Sequence, residues 1–102
     1  MVFRDFADAG RQLAPLLREW VGEDTVVLAV APGGVPVAQA TLGSGVLPDL
    51  EMFIVGAELT CDVRDRSVVV IDDGVESGTA ARRIAALLRD AGARWTVLAV
   101  PV

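Results

Sequence analysis

The stretch Ser67-Val-Val-Val-Ile-Asp-Asp-Gly-Val-Glu-Ser-Gly-Thr-Ala80 restricts what this chain can become more than any other. Val68 to Ile71 are consecutive β-branched apolar residues, the pattern of a strand buried on both faces. Asp72 to Thr79 follows as a turn of acids, small residues and two glycines, and from Ala80 a helical pattern places Ile84, Leu87 and Leu88 on one face. The unit is strand, tight loop, helix. Such a loop gathers backbone N–H groups at a helix N-terminus, where the helix dipole and the unpaired donors favour an anion. Adjacent carboxylates at the mouth of a buried strand are costly unless something uses them. Asp72 and Asp73 are pure acceptors, which suits sugar hydroxyls. Ser77 and Thr79 supply hydroxyls, and Gly78 lets a phosphate come close. A ribose carrying a phosphate fits both halves.

A second strand-loop-helix precedes it. Thr25 to Ala31 reads as a buried strand, Pro32-Gly-Gly34 as the loop and Val35 to Leu42 as the helix, with Pro36 at its first position and Gly43 to Gly45 ending it. A third strand is expected at Leu50 to Val55, where Glu51 breaks the apolar run and implies a sheet edge. In Ala57 to Arg66, Leu59, Cys61 and Val63 alternate with polar residues, so a short half-exposed strand beside it is expected. The helix over Ala80 to Ala91 has Gly92 as its C′ residue and Arg89 in its last turn. Trp95 to Val102 is the last strand. At the other end, Phe3, Phe6, Leu13, Leu16, Leu17 and Trp20 fall at helical spacing, with Asp5 as N-cap and Asp8 in the first turn. Pro15 cannot donate to the Arg11 carbonyl, so a kink or split is expected there.

This order predicts a single α/β domain over residues 1–102, a three-layer sandwich around a small, mainly parallel sheet. With strands A, B, C and D at Thr25, Leu50, Val68 and Trp95, the expected spatial order is B-A-C-D. The order reverses between A and C, and ligands of open α/β sheets bind at such a reversal. Both glycine loops leave strand ends there.

Composition removes whole classes of chemistry. The 102 residues include no histidine, the commonest general base and metal ligand, and one cysteine, Cys61, which rules out an internal disulfide. All nine basic residues are arginine and the net charge is −5, which argues against a nucleic-acid partner. No apolar run approaches the roughly 18 residues of a membrane span, and Arg4, Asp5 and Asp8 break up any leader-like apolar start. A cytoplasmic location without membrane contact is expected.

Val69 to Ala80 resembles the phosphoribosyl pyrophosphate (PRPP) motif of the type I phosphoribosyltransferases, placing the motif at 68–80. The resemblance implies that Asp72 and Asp73 hold the ribose hydroxyls, that Glu76, Ser77, Gly78, Thr79 and Ala80 wrap the 5′-phosphate, that Gly74 between them also binds PRPP, and that Mg²⁺ arrives through pyrophosphate without direct protein ligands. Glu76 is the candidate catalytic residue, because some purine-salvaging relatives place an acid there against the accepting base. Val2 to Ala14 resembles the leading helix of a bacterial subgroup of the family. That subgroup reads Pro-Arg-Gly-Gly-Val-Pro in its pyrophosphate loop, whereas residues 31–36 here put Pro32 in the arginine slot before Gly33 and Gly34. The loop thereby loses a donor and a cation. The resemblance further implies a truncated member, without room for the family's mobile loop between Ala57 and Arg66 and without the hood that follows the last strand. Arg82 and Arg83 lie one turn from the phosphate loop and could lend it charge.

Three functions are compatible with this reading: transfer of phosphoribosyl to a nitrogenous base, non-catalytic regulatory binding of PRPP or a nucleoside monophosphate, and a degenerate oligomerisation module. A homodimer covering the apolar edge at the last strand is expected.

Overall fold

The computed structural model describes residues 6–56, 59, 61–73 and 79–100, with the side chains of residues 6, 7 and 79–81 outside that description. Seven elements follow in order: α1 (Phe6–Leu17), β1 (Val26–Val30), α2 (Gly34–Leu42), β2 (Glu51–Val55), β3 (Ser67–Ile71), α3 (Thr79–Asp90) and β4 (Trp95–Ala99). The four strands form one sheet in the order β2-β1-β3-β4, and every pair is parallel. This is the expected order, with the sheet wholly rather than mainly parallel among the described strands.

The side-chain period of two divides the apolar residues between two cores. Val27, Ala29, Val69 and Ile71 face α1 and α2, where they meet Leu13, Ala14, Leu17, Val37 and Ala38. Val26, Leu28, Val30, Val68 and Val70 face the opposite side and meet Ile84 and Leu88 of α3, with Val55 and Val63. Every residue of β1 and β3 is buried. These are the three layers: two helices, the sheet, one helix.

Several local expectations are corrected. The first helix is not split at Pro15 but continues as one element to Leu17. Pro15 removes the donor to the Arg11 carbonyl, but only two helical residues follow it, so little helix remains to be displaced. Leu16 and Trp20 leave the core, at 56% and 51% exposure, because the helix stripe facing α2 and the sheet is Leu13, Ala14 and Leu17, and Trp20 falls in the turn beyond the helix end. Phe3 and Asp5 lie outside the described residues. In α2 the helix starts at Gly34, after Gly33 as N-cap, so Pro36 is its third residue rather than its first. The first-turn N–H groups have no intrahelical acceptor, so proline is tolerated there as well. Among the described residues, no strand forms at Leu59 to Val63. Yet the inward half of the alternation holds: Val63 is buried, and Leu59 and Cys61 pack partly buried on the α3-side core. β4 ends at Ala99; Pro101 and Val102 lie outside the described residues.

α3 closes as its sequence requires. Gly92 takes φ +87°, the Gly92 N–H donates to the Arg89 carbonyl at 3.2 Å, and the Ala93 N–H donates to the Leu88 carbonyl at 3.1 Å. These are the two bonds of a Schellman cap, which needs a left-handed C′ residue.

The N-terminal ends of the strands are tied by charge. Asp24 accepts from Arg94 Nη1 at 2.8 Å and from the buried Ser67 hydroxyl at 3.2 and 3.3 Å. Arg66 donates Nε to the Asp24 carbonyl at 3.1 Å and Nη2 to Glu51 at 3.0 Å. The Arg94 N–H donates to the Arg66 carbonyl at 2.8 Å, which fastens the α3–β4 turn to the segment entering β3.

Candidate functional site at the C-terminal strand ends

β1 and β3 are adjacent and parallel, with Val26 opposite Val68 and Ala29 opposite Ile71. Their C-terminal ends therefore deliver the loops at Ala31–Gly33 and at Asp72–Asp73 side by side. The strand order reverses between them, since the chain goes outward from β1 to β2 and returns to β3. A crevice at such a reversal is where open α/β sheets bind ligands.

Two glycines allow the loops to press together. A Cβ on Gly33 would run into the carboxylate of Asp73, and one on Gly34 would run into the Ile71 carbonyl oxygen and lie 3.2 Å from the Asp72 Cα. Main chain of the first loop thus lies directly against the acid pair of the second. Gly33 caps α2 with no side chain of its own, leaving the helix start to its backbone N–H groups. The preceding Ala31–Pro32 peptide is cis, and the Val35 N–H donates to the Pro32 carbonyl at 3.4 Å.

The strands carry their hydrogen bonding up to this edge. The Ala31 N–H donates to the Val55 carbonyl at 2.9 Å, and the Asp72 N–H donates to the Ala99 carbonyl at 3.2 Å. Asp72 is buried and Asp73 half-buried at the C-terminal strand ends. Thr79 and Ala80 are the first two residues of the twelve-residue α3, one residue earlier than the helical pattern predicts. Gly74, Glu76, Ser77 and Gly78 lie outside the described residues. Pro32, Gly33, Gly34, Asp72 and Asp73 are brought to one place, with α3 starting a few residues beyond. Arg82 and Arg83 are exposed on α3, and Arg82 lines a groove between α3 and β4.

The contact between Gly33 and Asp73 is the feature that residue-by-residue reading misses. Its available signal is the glycine pair itself, placed after a buried strand, where a turn alone would need only one. Chemically, the arrangement offers carboxylate acceptors for hydroxyls beside backbone donors at the start of α2.

No family model and no curated protein matches the chain. Solved structures do. A hypoxanthine phosphoribosyltransferase from Staphylococcus aureus superposes with a TM-score of 0.78 at 15% identity, covering 93% of this chain and 61% of that one. A phosphoribosyltransferase from Corynebacterium diphtheriae gives 0.72 at 24% identity, with 95% and 65% covered. The purine phosphoribosyltransferase from Pyrococcus horikoshii gives 0.71 at 21%, with 98% and 74% covered. The chain therefore has the type I phosphoribosyltransferase fold, and it spans about three fifths of the length of the Staphylococcus aureus protein.

Proposed function

We propose that the chain binds PRPP, or the ribose 5-phosphate part of a nucleotide, in the crevice between the β1–α2 and β3–α3 loops. The observation that carries this reading is the packing of Gly33 main chain against the Asp73 carboxylate at the reversal point of the sheet. It sets acceptors for two ribose hydroxyls next to backbone donors for phosphate oxygens. The order of residues in 68–80 and the fold shared with phosphoribosyltransferases support the same ligand. Asp72 and Asp73 would hold the ribose, Glu76 to Ala80 the 5′-phosphate, with Gly74 between them also on PRPP, and Pro32 to Gly34 the pyrophosphate.

Mg²⁺ would reach this site through pyrophosphate oxygens and without direct protein ligands; among the described residues no group of three or more His, Cys, Asp or Glu is placed to hold a metal ion. Bound there, Mg²⁺ would neutralise charge on the pyrophosphate. The chain's own part is to orient the ribose through Asp72 and Asp73 and to meet phosphate oxygens with N–H groups.

Phosphoribosyl transfer to a nitrogenous base, with Glu76 contacting that base, is the enzymatic form of this proposal. Regulatory binding without turnover is the second form. It is favoured by Pro32, which brings neither N–H nor charge to the pyrophosphate loop, and by the short connection from Val55 to Ser67. A thermal-shift titration with PRPP and Mg²⁺ tests the binding, because a ligand of the folded state raises the midpoint. The shift is expected for the native chain and lost in Asp72→Asn/Asp73→Asn; an equal shift in the double variant puts the ligand elsewhere. Pyrophosphate release over a panel of bases then separates the two forms.

A further inference from the structure

A groove of about 430 Å³ runs between α3 and the edge strand β4, on the face away from α1 and α2. Its wall on α3 is Arg82, Ala85, Ala86 and Arg89, one face of the helix at i, i+3, i+4 and i+7. Thr96 forms the strand side, and Arg94 closes the lower end. Leu98, two residues beyond Thr96 on the same face of β4, is 42% exposed.

Charge is concentrated here against the trend of the molecule. The chain is net −5, yet three of its nine arginines line this groove and no acid does. Arg94 is paired with Asp24 but remains 59% exposed. Among the described residues, Arg82 and Arg89 form no ion pair. Beside them lies the outer side of β4, the edge strand among the described strands, whose described backbone bonds all point toward β3.

We propose that this edge accepts an acidic extended segment of another protein as a fifth strand, its carboxylates meeting Arg82 and Arg89. Three observations select that occupant. Among the described residues the outer side of β4 pairs with no strand, so its backbone offers main-chain hydrogen bonds to an added strand. The alanines of α3 leave room above it for alternate side chains of modest size. Arg82 and Arg89 are two helical turns apart, roughly 10 Å along the axis, which flexible arginines can bring to same-face carboxylates about 7 Å apart on an extended peptide but which is too wide for one small anion. A second copy of this chain is disfavoured at this edge. Antiparallel pairing of β4 with itself about a two-fold axis would bring Arg82 of one copy toward Arg89 and Arg94 of the other, and like charges across an interface cost affinity.

The full chain is titrated with a short fluorescent peptide alternating Val and Glu, read by anisotropy. The charge-reversed Val-Lys peptide and inorganic pyrophosphate serve as comparisons. The Val-Glu peptide is expected to bind and to weaken with added salt; Arg82→Glu/Arg89→Glu should weaken it by roughly tenfold or more, since both charge pairs are then repulsive. Bound peptide should slow amide hydrogen exchange at Trp95 to Ala99. Both arginines are exposed, so the variant's fold is checked by circular dichroism, and Arg89→Gln provides a milder second variant expected to lose part of the affinity. Equal binding of the Val-Lys peptide, unchanged affinity in Arg82→Glu/Arg89→Glu, or binding without protection of β4 would each overturn the proposal. Displacement by pyrophosphate at equal concentration would replace it with a small-anion site. A concentration-dependent dimer mass abolished by the same double variant would replace it with self-association.

Discussion

The two ends of the sheet are built in opposite ways. At the N-terminal ends of the strands, charged and polar side chains satisfy each other: Asp24 takes Arg94 and Ser67, and Arg66 takes Glu51 and the Asp24 carbonyl. At the C-terminal ends the loops meet through glycine main chain and a carboxylate, with Gly33 on Asp73 and Gly34 on the Ile71 carbonyl. The first end is made from side chains whose partners lie far away in sequence. The second has its side chains removed so that backbones can approach. One end is fastened through ion pairs and hydrogen bonds, the other through close approach of main chain.

Substitutions at the two ends should separate stability from binding. Gly34→Val should have the largest effect, because the obstructing atoms are backbone that cannot swing aside. A loss of about 1–3 kcal/mol in urea denaturation, as for other overpacked sites, should accompany loss of the PRPP shift. Native stability in that variant would mean the loops are farther apart than described. At the opposite end, Asp24→Ala removes the acceptor of the buried Ser67 hydroxyl and the partner of Arg94. It should cost about 1–3 kcal/mol, mostly for the stranded hydroxyl, since the exposed ion pair is worth little. Its ligand shift should persist, and a loss would show that the ends are coupled.

Gly33→Ala sharpens the contrast. The closest obstructing atoms there are those of the Asp73 carboxyl group, which can rotate away, with the Asp73 Cβ behind them at 3.0 Å. Stability should fall by less than about 1 kcal/mol, the range of changes that a side chain can absorb, while the PRPP shift drops because Asp73 is displaced. The reverse pattern would assign Asp73 a purely structural part.

The smallest expected effect concerns Cys61, on the connector between the two ends. Burial raises its thiol pKa above the ordinary value, against smaller lowering contributions from a backbone hydrogen bond and Arg66. The thiolate is the nucleophile, so alkylation at neutral pH should be slower than for a free thiol and should accelerate only at more alkaline pH. Because the folded-state pKa is the higher one, any linked stability is intact below the unfolded value and is lost as pH rises through the folded value. Alkylation as fast as that of a free thiol would place the connector away from the core.

Much of the fold was legible because it rests on local periodicity. Val68 to Ile71 announce a strand buried on both faces, and Ile84 with Leu88 a helix that must cover it. Gly92 requires a left-handed cap, and that cap is present. Reading fails where a residue's fate depends on a neighbour from another element. Leu16 and Trp20 satisfy the helical period yet stay exposed, because α2 and the sheet cover only part of α1's apolar stripe and the helix ends at Leu17, before Trp20. Trp20 instead meets Trp95 edge-on at 6.4 Å. Leu59, Cys61 and Val63 alternate as a strand would, but among the described residues they join no strand pair and settle over the core as irregular chain. At the candidate site, Asp72, Asp73 and the two glycines were visible as types; their mutual contact was not.

The sequence by itself determined the order of strands and helices, the parallel sheet and the acid pair at the C-terminal end of β3, because hydrophobic period and turn chemistry act over a few residues. Tertiary structure alone decided that Gly33 meets Asp73, that Asp24 gathers the opposite end and that α3 leaves an arginine-lined groove beside β4. Those contacts join residues tens of positions apart, and their distances are set by strand register and helix placement, which no local pattern encodes.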